Sequence, residues 1–293
     1  MEHYDIIIIG GGITGSSIAR ELSRYDLRIA LLEKEEELAF GVSKSNSGII
    51  HPGTQMSPES LKARLCVMGN RLTRKIASEL GVDFREVGEL ILARSHDDIE
   101  KLRVLKKYGS ALGVPRLKIV GKKWLRQNEP LLHPDVVAAL YAPTAGIISP
   151  YRWVYDLSEN AIANGVDVFV NANVKKIAVH HHKVNMRERS IFDVITETNS
   201  YTAHYVINAA GLHADDIARM VGINDFRIMP RKGEEYLLDK KKENMTNHLL
   251  FPLPTATSKG VLVIKTSDGN PMVGPTAEPV SDKDDLSTTE EGK

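Results

Sequence analysis

The stretch DIIIIGGGITGSSIARELSRYDLRIALLE, residues 5–33, sets the strongest limits on what this chain can become. The four isoleucines after Asp5 are β-branched and apolar, which reads as a strand buried on both faces, as in a parallel sheet. Gly10, Gly12 and Gly15 follow as G-x-G-x-x-G, residues 16–25 continue as a helix, and a second strand, LRIALLE, ends on Glu33. The first glycine permits a tight turn, the second lets backbone approach a pyrophosphate, and the third lets helix and strand pack closely. Free N–H groups at the helix start then face the phosphates. Glu33, roughly 20 residues beyond the glycines, is placed to accept hydrogen bonds from ribose hydroxyls, and its charge repels a 2′-phosphate.

A glycine turn without a ligand is the bland alternative. It does not account for a preceding strand, a following helix, a second strand and an acid at the required distance, all in one stretch. The segment therefore predicts dinucleotide binding and disfavours NADP. FAD and NAD both present an adenosine diphosphate, so the motif leaves the two open.

The 293 residues suffice for one large domain or two smaller ones, and 42% apolar with 26% charged residues is ordinary for a globular protein. Lys+Arg and Asp+Glu both number 38, so no global basic field exists to attract nucleic acid. The single cysteine, Cys66, excludes an internal disulfide framework and suits a reducing compartment. No apolar run approaches the ~18–20 residues that span a bilayer. The opening residues MEHYD carry acids where a secretory signal carries bases, which points to the cytoplasm.

Further along, SPESLKARLCVMGNRLTRKIASELG reads as a helix with Ser57 at its cap, Pro58 at its first position and Gly81 at its end. Leu61, Leu65, Met68, Leu72, Ile76 and Leu80 form its apolar stripe, and Cys66 beside them reads as structural. Residues 83–93 look like a strand pair, 96–109 a charged helix, 124–130 a short helix and turn, and 151–164 a helix closed by Gly165. The strands VDVFVN and VKKIAVHHHKVNM follow. His180, His181 and His182 suggest a metal site, but neighbours on a strand point to opposite faces, so a solvated strand end is the better reading. In YVINAAGLHADDIARMVG a strand ends in Ala209, Ala210 and Gly211, tiny side chains that let a ligand lie against backbone, before a helix opening with Asp215 and Asp216. The segments RKGEEYLLD and KGVLVIKTSDGNPMVG read as antiparallel strands, and SDKDDLSTTEEGK as a frayed polar tail. In SNSGIIHPG, His51 taken alone reads as a turn histidine before a proline.

Taken jointly, the glycine block, SNSGIIHPGTQMSPESLKARLCVMGN, VINAAGLHADDIARM, MPRKGEEYLLD and LPTATSKGVLVIKTSDGNPMVGPTAE resemble the FAD-dependent oxidoreductases of the D-amino-acid oxidase superfamily. Within it the chain is most similar to the glycerol-3-phosphate oxidase and dehydrogenase branch, with the L-2-hydroxyglutarate branch close behind. The resemblance implies an α/β fold, α+β overall: a Rossmann-like FAD-binding domain on a parallel sheet and a substrate domain on a mainly antiparallel sheet. The expected division is residues 1–83 and 145–222 for the former, and 84–144 and 223–293 for the latter. Gly10, Gly12, Ile13, Thr14 and Gly15 would then hold the FAD pyrophosphate, Glu33 and Lys34 the adenosine end, and Ser45, Asn46 and Ser47 the flavin side. Val174 would meet the adenine through its backbone, with Ala209, Ala210 and Gly211 passing close to the cofactor. His51 matches a histidine over the reacting end of the flavin, and Lys259 a lysine near it.

The implied reaction is oxidation of sn-glycerol 3-phosphate to dihydroxyacetone phosphate, with oxygen, a quinone or a partner protein as final acceptor, in the cytoplasm or at a membrane periphery. Flavin alcohol oxidation needs a base for the hydroxyl proton, and histidine ionises in the right range. His51 is the candidate base, Lys259 the reserve, and Arg231 with Lys259 the candidate anchors for substrate phosphate or carboxylate. Taken alone, Arg231 and Lys259 each read first as surface charges. Alternatives are oxidation of a 2-hydroxy acid or amine, and a nucleotide-binding module without turnover. The resemblance also implies that family members continue past Lys293, with a glycine-rich flavin contact and substrate-binding arginines beyond it.

Overall fold

The isoleucine strand Glu2–Ile9 lies inside a six-stranded sheet, pairing in parallel with Ser200–Asn208 on one side and Ile29–Leu32 on the other. The computed structural model describes residues 1–184, 187–254 and 260–292, and the chain divides into two units. The first comprises Met1–Asn46, Pro150–Pro230 and Val280–Asp284. Its sheet runs, edge to edge, Val174–Val184, Arg187–Thr196, Ser200–Asn208, Glu2–Ile9, Ile29–Leu32, Asp167–Phe169. The last four are mutually parallel and the first two add an antiparallel ribbon.

Alternation along these strands feeds two cores, as the isoleucine run predicts. Tyr4, Ile7, Ile9, Ala30 and Leu32 pack on one face, and Ile8, Ile29 and Leu31 on the other against Ala19, Val154 and Ala161. The latter face carries the helices Ile13–Leu22 and Pro150–Ala163, tied by the buried hydroxyls of Ser16 and Ser158 at 2.9 Å.

The second unit comprises Ser47–Ser149, Arg231–Pro279 and Asp285–Lys293. Its seven-stranded sheet runs Tyr236–Leu237, Pro271–Gly274, Leu262–Lys265, Leu249–Phe251, Glu89–Ala93, Ala138–Ala142, Lys118–Gly121, antiparallel except between Leu249–Phe251 and Glu89–Ala93. Ile91 and Leu140 face the larger core with Val67, Leu102 and Phe251, while Leu90 and Ala139 face a smaller one with Val120 and Leu125. Beside the sheet, Gly146–Ile148 pairs with Ile49–Ile50 and with Phe84–Glu86.

Several expectations need correction. The helix starts at Leu61, capped by Ser60, whose side chain accepts from the Ala63 N–H, and not by Ser57; a turn at 57–60 intervenes, with the Ser57 carbonyl accepting from Ser60. Gly81, left-handed at φ 70°, ends the helix as expected. The apolar stripe does not face the core: Leu61, Leu65, Met68 and Leu72 are all more than half exposed. The buried face is Ala63, Val67, Asn70, Thr73 and Ala77. Small residues let this helix sit close, and Asn70 Nδ2 donates to the carbonyls of Thr144 and Ile50, a polar demand that outweighs the hydrophobic period. With Val67 in the second unit's core, the division falls between residues 46 and 47, ahead of the expected 83, and again between 149 and 150.

Phe84–Glu86 and Glu89–Ala93 are both strands but join different sheets. Residues 231–239 pair only at 231–232 and 236–237. The tail, though largely exposed, is tethered instead of frayed: Lys283 engages Asp215 and Asp216, and the Thr289 N–H and hydroxyl reach Glu234.

Candidate active site

The glycine turn has no room for side chains. Gly10 adopts φ +113°, and a Cβ there would lie 2.4 Å from the Ala209 carbonyl oxygen. A Cβ on Gly15 would lie 1.9 Å from the Gly10 oxygen, so helix and strand meet through bare backbone. Gly12 is the cap residue of helix Ile13–Leu22 and offers no side-chain hydrogen bond, leaving donors of the first turn directed outward. Ala209 lies at hydrogen-bond distance from the end of the first strand, its N–H donating to the Ile9 carbonyl at 2.9 Å. Ala210 and Gly211, the latter at φ +56°, carry the chain from there into a 3-10 turn.

Two side chains complete the turn, Glu33 of the motif and Ser43, which the motif does not mark. The Gly11 N–H donates to Glu33 Oε2 at 2.7 Å, and the Ile13 N–H donates to Ser43 Oγ at 2.9 Å. Glu33 is 9% exposed and its Oε1 accepts from the Glu35 N–H at 3.0 Å. Each carboxylate oxygen accepts more than one hydrogen bond, so capacity for ribose hydroxyls remains. Lys34 lies between Glu35, at 2.9 Å, and Asp284, at 3.5 Å; burial lowers its pKa, but these acids more than offset that and hold it above the usual lysine value. Asn46 Nδ2 donates to the carbonyls of Val42 and Ser43, fixing the 42–46 loop, in which Ser45 is exposed. Val174 is buried at the start of its strand, beside a register shift. A bare glycine turn at a helix start and a buried carboxylate fit an adenosine diphosphate.

The second unit holds His51 and Ser47. His51 follows directly on the strand Ile49–Ile50, its ring edge against Phe251 at 5.8 Å and its carbonyl accepting from Cys66 Sγ at 3.5 Å. His51 Nδ1 lies 3.6 Å from Glu89 Oε2, and Glu89 is fully buried. Glu89 Oε1 accepts from Thr54 Oγ1 at 2.7 Å and from Gln55 Nε2 at 3.3 Å. Burial pushes the Glu89 carboxyl up, but His51, Thr54 and Gln55 together outweigh it and hold it below the usual carboxylate range. Sequence reading missed Glu89; its one signal was an acid heading the otherwise apolar strand ELILA.

The Arg231 guanidinium donates to the Ala277 carbonyl at 2.8 Å. Lys259 lies outside the described residues. His180 meets Asp193 at 2.7 Å and His181 meets Ser190 at 3.1 Å. Among the described residues no helix is long and apolar enough to cross a membrane.

A family model for FAD-dependent oxidoreductases, DAO, matches residues 5–293. The glycerol 3-phosphate dehydrogenase of Caloramator mitchellensis is 41% identical over 290 residues, covering 99% of this chain and 58% of that protein. An L-2-hydroxyglutarate dehydrogenase of Escherichia coli is 33% identical over 279 residues, covering 94% of this chain and 64% of its own length. Among solved structures, the dithionite-reduced, FAD-bound L-alpha-glycerophosphate oxidase of Mycoplasma pneumoniae superposes with a TM-score of 0.92 at 31% identity, covering all of this chain and 76% of that one. The chain thus spans less than two thirds of the length of the two sequence relatives. A mixed α/β fold, a glycine turn built for a dinucleotide and this likeness over nearly every residue place the chain in the DAO family of FAD-dependent oxidoreductases.

Proposed function

We propose that this chain oxidises sn-glycerol 3-phosphate to dihydroxyacetone phosphate, with His51 accepting the hydroxyl proton. Bound FAD supplies the hydride acceptor; the chain's own groups supply the grip and the base. In this reading Gly10, Gly12, Ile13, Thr14 and Gly15 hold the pyrophosphate and Glu33 the ribose, with Lys34 beside it. Val174 meets the adenine; Ser45, Asn46 and Ser47 line the flavin side; and Ala209, Ala210 and Gly211 lie along the cofactor. Arg231 and Lys259 are the proposed anchors for the substrate anion. The electrons leave to oxygen, a quinone or an acceptor protein, in the cytoplasm or at a membrane surface.

The observation that carries this reading is His51 with its Nδ1 turned to a buried carboxylate. An imidazole so placed offers its other nitrogen to a proton donor, as removal of an alcohol proton requires. The choice of glycerol 3-phosphate is supported by the 41% identity to the Caloramator enzyme. A second reading, oxidation of a 2-hydroxy acid, is supported by the 33% identity to L-2-hydroxyglutarate dehydrogenase and uses the same base.

Anaerobic mixing of the FAD-loaded protein with each substrate tests both. Bleaching by glycerol 3-phosphate is expected, and bleaching by L-2-hydroxyglutarate alone would reverse the order. His51→Asn keeps a polar side chain that cannot take the proton, so the reduction rate is expected to fall by about 10²–10⁴ with the flavin spectrum unchanged. A variant reducing as fast as the parent would show that His51 is only a turn residue.

A further inference from the structure

Glu89 is the one acid in the apolar strand Glu89–Ala93, paired on one side with Ala142 and on the other with Leu249. Burying a carboxylate there is costly unless its charge is answered. A second buried acid of the same unit, Glu129, also faces a histidine ring, with His248 Nδ1 2.8 Å from its Oε1. The same oxygen accepts the backbone N–H groups of Asn247 and His248, at 2.8 and 2.6 Å, and so ties a turn to a helix end. Glu89 differs in that no backbone N–H among the described residues answers it. Its hydrogen bonds come from the side chains of Thr54 and Gln55, both on Oε1, while Oε2 faces His51 Nδ1 at 3.6 Å and has no other partner among the described residues. That distance is within ion-pair reach and slightly beyond a hydrogen bond, as is common for catalytic pairs before substrate binds.

We propose that Glu89 is the positioning residue for His51: its carboxylate accepts a hydrogen bond from Nδ1–H, leaving Nε2 unprotonated toward the substrate hydroxyl. This rests on the reading of His51 as the base. Gln55 is the key to the geometry. Its Nε2 only donates, so it fixes which carboxylate oxygen is engaged and leaves Oε2 for the ring. Once His51 takes the substrate proton, the imidazolium stands against a negative partner, which favours the charged form. Thr54, Cys66 on the helix and Phe251 also pack here.

Glu89→Gln tests the idea at nearly constant shape. Gln55 holds the new carbonyl oxygen, so the amide nitrogen is turned toward His51 Nδ1, where two donors oppose each other unless the ring moves its proton to Nε2. The expected result is a limiting rate of anaerobic flavin reduction lowered at least about tenfold, with FAD retained and the substrate dissociation constant within about threefold. The pH step of that rate is expected to shift or vanish. Nitrogen-15 NMR of the histidines supplies a readout independent of turnover: the parent His51 is expected as the Nδ1–H tautomer and the variant as Nε2–H. A parent ring protonated on Nε2 would overturn the proposal whether or not Glu89→Gln folds. If His51→Asn slows reduction while Glu89→Gln leaves rate and tautomer unchanged, the base reading stands and the role of Glu89 falls. If His51→Asn has no effect, the base reading itself falls.

Discussion

At the scale of single residues, Glu33 has two duties that separate experimentally. Its carboxylate accepts the Gly11 N–H and is placed for the ribose, so Glu33→Ala removes both a turn contact and a ligand contact. FAD affinity is expected to fall by roughly ten- to a hundred-fold, and the cofactor-free protein to lose about 1–2 kcal/mol from the orphaned N–H. Fluorescence titration and urea unfolding measure the two losses; unchanged affinity alongside lower stability would reduce Glu33 to a turn brace. Glu33 was legible in the sequence because its motif is local. Ser43 and Glu89 were not: one meets an N–H thirty residues away and the other a ring that follows a strand of another sheet, and neither partner lies in its own segment.

At the scale of elements, the helix Leu61–Leu80 shows what a periodic pattern leaves open. The hydrophobic period gives a helix and the positions that share a face, but not which face turns inward. Here Asn70 decides the matter by answering the carbonyls of Thr144, in a turn, and of Ile50. The corrected burial makes an unequal forecast for neighbours two residues apart. Leu65→Lys, on the exposed stripe, is expected to change stability by no more than about 0.5 kcal/mol. Val67→Ala, whose methyl packs where a Cβ on Gly53 would lie 2.5 Å away, is expected to cost roughly 2 kcal/mol. Urea midpoints of the two variants rank them, and the reverse ranking would return the helix to its expected orientation. The isoleucine strand was read fully because a strand buried on both faces needs no choice of face.

For the whole molecule, acid is the expected weakness. Lys283 holds Asp215 and Asp216 below the usual carboxylate range, Lys232 does so for Asp285, and the Thr289 N–H for Glu234. Groups lowered by folding bind fewer protons in the native state, so their contribution is complete above their unfolded values and is lost as pH falls through the folded ones. Glu235, raised by burial, runs the opposite way, but singly. Urea midpoints are therefore expected to be level between about pH 5 and about pH 9, below the range in which the raised Lys34 and Lys283 lose their protons, and to drop steeply below about pH 4. A midpoint unchanged from pH 5 to pH 3 would contradict this. The tethered tail behind part of this effect was illegible in the sequence, where a polar acidic segment looks unconstrained until its partners are known.

The pairing of the first strand with Ser200–Asn208 has one more consequence, on the ribosome. His3 meets Thr202 across 199 residues of chain. At ~5–20 residues per second, one edge of the isoleucine strand waits roughly 10–40 s for its neighbour to be made. Through that interval an apolar, β-branched edge lies open to other nascent chains. Yield in a host cell is then expected to respond to holdase chaperones that shield this first strand as well as to the stability of the finished molecule.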